Sequence, residues 1–399
     1  MSPPSRAHPT TARLPHRFAP LLRHLVRAIA LAAALACAAA GAQTASKNEA
    51  DRLTAVARLL AGIDPGSPDP AFERVTQSPS WQAHRKASRA GLRQLKARLA
   101  KMNAWQSEHL PKPDGPGSTL LYPFSGPDFV NAYALFPGYD RYVFFSLEPP
   151  GEVPALESLD DQQLSDLCSD LRSALNDLVA LNFFITPNMK ERLQTDALQG
   201  TVPVLLAMMG LLDLRVEHIA PLDPWPDRTA EYARPDARHP DLPLKGVQID
   251  FADPASHRKH SLLYLSLDVS DAALKFYPGF APWLQSYKHP AVLLKSASYL
   301  LHGGNFRKVR TVIRDHAELI VQDDTGMPFK MLRDAGYDIE LFGQYEQPVK
   351  LFENRYQKDL DDAFAAAGNP EPLPFPFGYN WRKEGKSGLI VARRPRSPG

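Results

Sequence analysis

Cysteine is nearly absent from this 399-residue chain, which contains two, Cys37 and Cys168. Cys37 lies in an N-terminal segment that we expect to be removed, so the remaining chain holds a single cysteine. One cysteine can form neither an intramolecular disulfide nor a thiolate metal cluster. Cys168 falls on the apolar stripe of a helical pattern, which favours a small buried hydrophobic residue over a nucleophile.

Familiar catalytic signatures are also missing. The sequence has no G-x-S-x-G, H-E-x-x-H or G-x-G-x-x-G motif. EGKSG at 384–388 matches the end of a P-loop but lacks its first glycine, and SHRK at 256–259 lacks the S-x-N partner of penicillin-recognising enzymes. His257 and His260 have no spacing that fixes the geometry of a zinc site. We therefore predict neither a metal nor a cofactor.

Long apolar runs are missing too. The Ala/Leu run at 28–40 has 13 residues, too few for a membrane span of about 20. It follows five arginines without any acid and ends in Ala40-Gly41-Ala42. These features predict a secretory signal peptide cleaved after Ala42 and a periplasmic or secreted protein. A lipid anchor at Cys37 is the less favoured alternative, because the alanines beyond it continue the apolar region.

A charge excess disappears with the leader. Without its five arginines, 41 Lys and Arg remain against 44 Asp and Glu, a formal charge of −3. The sequence therefore gives no reason to expect a nucleic-acid partner.

The remaining chain divides at proline-rich stretches. We expect a helical segment at 43–112, an α/β segment at 113–222, a Pro-rich loop or insertion at 223–244, and a second α/β segment at 245–399. The helix at 81–110 carries Leu92, Leu95, Leu99 and Met102 on one stripe and many basic residues elsewhere. A solvated face, or a face docked on the protein's own acids, is favoured over contact with an anionic membrane surface.

Strand and helix patterns alternate after residue 118. A strand at 119–124, a short helix at 127–135 and a strand at 141–147 form a β-α-β unit. GVQIDF and SLLYLSLDV predict a hairpin, and further strands and helices, including a helix at 348–367, follow it. The predicted fold class is α/β, with a mixed or mostly parallel sheet flanked by helices and an N-terminal helical segment.

Three of these strands end in acids. Asp128, Glu148 and the pair Asp323 and Asp324 would share one edge if the strands are neighbours pointing the same way. Carboxylates close together raise one another's pKa, so one can act as an acid beside a base. We select these four as candidate catalytic residues, with Tyr122 and Ser125 binding substrate. The alternative is that each acid stabilises a turn.

Glu148 also stands where a Rossmann-like fold would hold a ribose. The turn FSGPD lacks the glycine pattern that lets backbone approach a phosphate or an adenosyl group. A layout alone does not carry a function.

The blocks YPFSGPD, SASYLLH, QDDTG-x-PF and PFGYNW resemble those of an uncharacterised family of exported bacterial proteins. The resemblance covers residue 120 to about 390. It implies that both α/β segments belong to one fold unit, and it implies no activity.

Two functions are consistent with these patterns. The first is a carboxylate-dependent hydrolase acting on a small molecule or an envelope polymer. The second is a non-catalytic binding or assembly factor of the envelope, with the aromatic-rich segment 274–287 as its contact surface. Polar turns after apolar strands favour the enzyme.

Overall fold

A computed structural model describes residues 46–67, 69–113, 115–176, 193, 195–222, 245–380 and 387–395. The predicted leader at 1–42 and the whole of the predicted Pro-rich loop at 223–244 lie outside these ranges. The chain divides into two compact units, Met1–Glu49 and Ala50–Gly399. The first is described only at 46–49, and the account below concerns the second.

The N-terminal segment is helical, as predicted. It contains α1 (46–60), α2 (Pro70–Gln77) and α3 (Pro79–His109). Ser78 is the N-cap of α3 and accepts a hydrogen bond from the Trp81 amide at 3.2 Å, with Pro79 in the first turn. Proline tolerates that position because its missing N–H would have no helical partner. The helix therefore begins slightly earlier than its apolar stripe indicates.

The remaining elements alternate between strands and helices. In chain order they are β1 (Thr119–Pro123), α4 (Phe129–Leu135), β2 (Arg141–Ser146), α5 (Asp161–Asn176), α6 (Val202–Leu211), β3 (Arg215–Pro221), β4 (Lys245–Asp253), β5 (Arg258–Ser266), α7 (Phe280–Gln285), β6 (Ala291–Leu294), α8 (Arg307–His316), β7 (Leu319–Gln322), α9 (Phe329–Asp334), β8 (Asp338–Gly343), α10 (Lys358–Ala366) and β9 (Gly388–Arg393).

The nine strands of the described residues form one sheet in the order β3-β4-β5-β2-β1-β6-β7-β9-β8. The five central strands, from β5 to β7, are parallel, and the strands at both edges are antiparallel. The α/β class and the mixed, mostly parallel sheet are confirmed. Strands from both predicted α/β segments pair directly, since β2 lies beside β5 and β1 lies beside β6.

The sheet is buried on both faces, which explains the continuous apolar runs of its central strands. Along β1, Leu120 and Tyr122 join one core cluster while Leu121 joins the other. The first cluster packs the sheet against helices of the N-terminal half, and the second against helices of the C-terminal half. The aromatic segment 274–287 contributes to the second cluster, where Phe280 and Leu284 are fully buried.

Two details differ from the sequence prediction. The helix predicted at 348–367 is a 3-10 segment, Lys350–Arg355, followed by α10. Strand β3 was not predicted; its exposed and half-buried residues include His218 and Glu217, and pairing with β4 stabilises it. An edge strand has one neighbouring strand and buries few side chains, so its sequence lacks the apolar pattern from which a strand is predicted.

Candidate active site

The carboxyl ends of the five parallel strands lie at one edge of the sheet. Along this edge the chain order reverses between β1 and β6, because β2 lies on one side of β1 and β6 on the other. Open α/β sheets bind ligands at such a topological switch point, since the connections leave the sheet in opposite directions and open a crevice.

A buried ion pair joins the two loops at the switch point. Lys295, the first residue after β6, places Nζ 2.6 Å from Asp128 Oδ2, and both side chains are almost fully buried. Tyr122 of β1 donates its phenol hydrogen to the same oxygen at 2.8 Å, and Asn131 Nδ2 donates to Asp128 Oδ1 at 2.7 Å. The Asp128 carboxylate therefore has three donors and a fixed orientation.

A second cation lies close to this pair. Arg98, on the helix predicted to be basic and amphipathic, is 9 % exposed, and burial lowers its pKa to about 10 against the opposing attraction of Asp128. Burial also lowers the pKa of Lys295, while Asp128 opposes that shift. Removing charges from water costs several kcal/mol per ion. Because of that cost, buried charges with shifted pKa values are found mainly where a function requires them.

A cavity of about 110 Å³ opens beside the pair. Its lining comes from the turns after β1, β2, β5 and β6, and includes Ser125, Glu148, Asp268, Lys295 and Ser296. Asp128 and Tyr122 also reach its wall. A cavity of this size accepts a ring of a few heavy atoms.

Glu148 is held in the wall by its own strand and by β5. Ser146 donates its hydroxyl hydrogen to Glu148 Oε2, and the Tyr264 phenol donates to the Glu148 carbonyl oxygen at 2.8 Å. Glu148 is 4 % exposed. Among the described residues, Ser146 is the one donor to this carboxylate, so Oε1 is available to a ligand.

Two serine hydroxyls in the cavity wall have no hydrogen-bond partner within the described part of the chain. They belong to Ser125, which is 5 % exposed, and to Ser296. A buried hydroxyl without a partner costs about 1–3 kcal/mol unless a ligand or water completes it. Their position therefore indicates a polar ligand.

Backbone strain is concentrated in the same loops. Phe124 after β1 has φ of 59°, and Ser296, Ser298 and Tyr299 after β6 have φ between 51° and 59°. Non-glycine residues in the left-handed region cost free energy, and such residues cluster at functional sites. Sequence patterns do not reveal this feature, because none of the four is glycine.

The predicted acids are only partly brought together. Asp128 and Glu148 line the cavity, as do Tyr122 and Ser125. Asp323 and Asp324 lie beside it, behind the loop that begins at Lys295. Asp323 accepts hydrogen bonds from the Ser296 amide at 2.8 Å, from the Thr325 amide at 2.9 Å and from the Thr325 hydroxyl at 2.6 Å. The Asp324 carboxylate accepts the Tyr299 phenol.

Asp324 is the member of this pair that holds a proton more readily. Burial, and then the charge of Asp323, raise the pKa of Asp324 to about 7. Burial also raises the pKa of Asp323, but its three donors and nearby Lys295 oppose that shift. Asp323 is therefore the better stabilised anion.

Sequence reasoning missed Lys295, Ser296 and Asp268. Each follows a central parallel strand, as the predicted acids do, so the same rule would have found them. Lys295 and Ser296 are not acids, and Asp268 falls inside SLLYLSLDV, which was predicted to be strand throughout. Asp268 is exposed at the mouth of the cavity, beside Leu267 and Val269.

The histidines of the β4–β5 hairpin have no part in this site. His260 is buried, with Nδ1 2.7 Å from the Tyr139 carbonyl oxygen, and His257 is exposed in the turn. Within the described ranges, no three His, Cys, Asp or Glu residues are grouped to hold a metal ion. Cys168 is buried in α5, and burial raises the pKa of its thiol to about 11, which disfavours the thiolate.

The chain matches no family model, no curated protein and no solved structure. In the part of the chain that the structure describes, no helix has both the length and the apolar character needed to cross a membrane.

The acid pair predicts a pH dependence of stability. Because the pKa of Asp324 rises from 3.8 to about 7 on folding, the folded state binds more protons than the unfolded state between these values. Its contribution to stability therefore falls as pH rises from about 4 to about 7 and is constant above. Asp324→Asn should match the wild-type free energy of unfolding near pH 4 and exceed it above pH 7.

Urea unfolding of both proteins across this range measures the difference. Asp338→Asn, at an exposed position of β8, is the control and should differ from wild type by a constant amount. If the free energy of unfolding of Asp324→Asn also differed from that of wild type by a constant amount at every pH, the raised pKa of Asp324 would be contradicted.

Proposed function

We propose that the protein is a carboxylate-dependent hydrolase that acts on a small hydroxylated substrate in the switch-point cavity. The observation that carries the proposal is the buried Lys295–Asp128 pair in the wall of a cavity that also holds an unpartnered serine hydroxyl. A pair with a purely structural role would have no need of a ligand-sized opening beside it.

Each residue in the wall has a separate task. Glu148 and Ser125 hold the substrate through hydrogen bonds, since both have an atom without a protein partner. Lys295 stabilises negative charge that develops at the bond being hydrolysed. Asp128 and Tyr122 hold the ammonium group in position; the pKa of Tyr122 is raised by burial and by Asp128, so its phenol remains a donor.

Asp324 has no direct part in the proposed reaction, although its pKa is raised to about 7, because a proton donor must lie within hydrogen-bond reach of the bond it acts on and Asp324 is not in the cavity wall. It lies in the layer behind the Lys295 loop, and Tyr299 of that loop is bonded to it.

The test uses the mature chain and a panel of p-nitrophenyl esters, phosphates and glycosides. Wild type should turn over one class, and Ser125→Ala should reduce kcat/KM about tenfold to a hundredfold at an unchanged melting temperature, because its hydroxyl bonds to substrate and to no protein group. Ser107→Ala, on the exposed surface of α3, is the matched control.

Undiminished turnover by Ser125→Ala would contradict the proposed site. If wild type hydrolyses none of the classes, the alternative of a non-catalytic binding or assembly factor is favoured instead.

We also propose that the protein is exported. The support is the run of five arginines, the apolar stretch at 28–40 and Ala40-Gly41-Ala42. Protein recovered from the periplasm or medium should begin at Gln43 on N-terminal sequencing. A recovered form that retains Arg6 to Arg27 would contradict this proposal.

A further inference from the structure

The cavity extends from the switch point along three adjacent parallel strands, β1, β2 and β5. The turns that follow them supply Phe124 to Gly126, Leu147 and Glu148, and Leu267 to Val269. We propose that this part of the cavity encloses the ribose of a ribonucleoside, with the ribose diol on Glu148, and that the base lies outside it, at the mouth, against Asp268 and Leu147. The inference rests on the proposed function, in which Glu148 holds the substrate.

Glu148 has the position and the free atom that a ribose diol requires. In dinucleotide-binding folds an acid at the end of the second strand, about 20 residues after the first turn, accepts hydrogen bonds from ribose hydroxyls. Glu148 lies two residues beyond the end of β2, at a similar distance from Gly126, and is fixed by Ser146 and by the Tyr264 bond to its carbonyl. Its other carboxylate oxygen can accept both hydroxyls of a vicinal diol.

The turn after β1 is tight although it lacks the usual glycine pattern. Phe124 and Gly126 have φ of 59° and 52°, and the Phe124 amide donates to the Phe145 carbonyl oxygen of β2 at 2.8 Å. The left-handed backbone turns the chain away immediately after the strand, which is the task of the first glycine in the dinucleotide motif. The missing glycines therefore do not exclude a ribose in this cavity.

The mouth of the cavity has the two features that a purine or other amino-bearing base needs. Leu147 is 64 % exposed, and few large apolar side chains of the described residues are exposed to that degree. It is the residue before Glu148 and also lines the cavity. A flat base would cover it. Asp268 has one oxygen bonded to the Ser270 amide at 2.8 Å, which leaves the other to accept an exocyclic amino group.

The same turn argues against a phosphate. Helix α4 has seven residues, and the Asp128 and Phe129 amides at its start already donate to the Ser125 and Pro127 carbonyl oxygens, so they are not free to bind a phosphate. Dinucleotide folds hold the pyrophosphate at a longer helix with a glycine-rich entry. The ligand is therefore a nucleoside, and a 5′-phosphate should not strengthen its binding.

Calorimetric titration of the full mature chain tests the inference without any requirement for turnover. Adenosine should bind, 2′-deoxyadenosine should bind about tenfold to a hundredfold more weakly, and AMP should bind no more tightly than adenosine. Glu148→Gln should weaken adenosine binding by a similar factor. Glu152→Gln, at an exposed position of the same loop, should leave the affinity unchanged.

Each outcome decides a separate part. No adenosine binding, or equal affinity for the deoxynucleoside, would overturn the inference; because this comparison uses wild type, it holds even if Glu148→Gln fails to fold. Methyl riboside that binds as tightly as adenosine would overturn the base site and assign the cavity to a free sugar. Ser125-dependent hydrolysis without adenosine binding would overturn this inference and leave the proposed function intact.

Discussion

Lys295→Met should lower the free energy of unfolding by about 3–5 kcal/mol and abolish function at the cavity. The substitution keeps the length and apolar stem of the side chain, so packing is largely retained. It leaves the Asp128 carboxylate buried without its cation, and an uncompensated buried charge costs that much. Urea unfolding at neutral pH measures the loss.

Two further variants make this result interpretable. Lys330→Met breaks an exposed ion pair with Asp334 on α9 and should change stability by well under 1 kcal/mol. The double variant Lys295→Met with Asp128→Asn should recover part of the lost stability, because the uncompensated charge is gone. If Lys295→Met alone were as stable as wild type, the ion pair with Asp128 would not stabilise the folded state.

Leu95→Ala should lower the free energy of unfolding by about 2–5 kcal/mol. Leu95 is 1 % exposed in the core cluster between α3 and the sheet, and truncation removes buried methyl groups and leaves a cavity. Lys96→Ala, the next residue, should be neutral within about 0.5 kcal/mol, since its side chain is 55 % exposed and its contact with Asp213 is 4.0 Å long.

The same pair tests whether α3 contacts a membrane. If Lys96→Ala weakened binding to anionic vesicles at unchanged stability, the helix would have a membrane-facing role in addition to its packing. We expect no such binding, because the apolar stripe that a membrane would take up is already buried: Leu95, Leu99 and Met102 are each less than one tenth exposed.

Local patterns were sufficient for the fold class. Apolar runs such as LLYPF and YVFF have the length and composition of strands buried on both faces, and amphipathic stretches between them have the helical period. The rule that ligands lie beyond the carboxyl ends of parallel strands then selected Asp128, Glu148, Asp323 and Asp324, with Tyr122 and Ser125 beside them. Of these, Asp128, Glu148, Tyr122 and Ser125 line the cavity.

Non-local pairing decided the rest. The order of strands depends on which faces and edges pack together across the whole chain, and no local pattern encodes it. Lys295 and Asp128 belong to loops far apart in the sequence. Arg98 comes from a helix whose basic face was predicted to be solvated or docked on the protein's own acids, and only the structure shows that Arg98 lies beside Asp128. Their charges meet only because β1 and β6 are neighbours.

The sequence by itself determined most of the elements, though neither β3 nor the break before α10, and also the two-sided burial of the sheet and the edge at which polar side chains collect, because each depends on residues close together in the chain. Only the tertiary structure decided that Asp323 and Asp324 lie behind the Lys295 loop rather than in the cavity, and that a lysine neutralises Asp128. The physical reason is that strand order and loop conformation, including the left-handed backbone at Ser296 and Tyr299, follow from long-range packing.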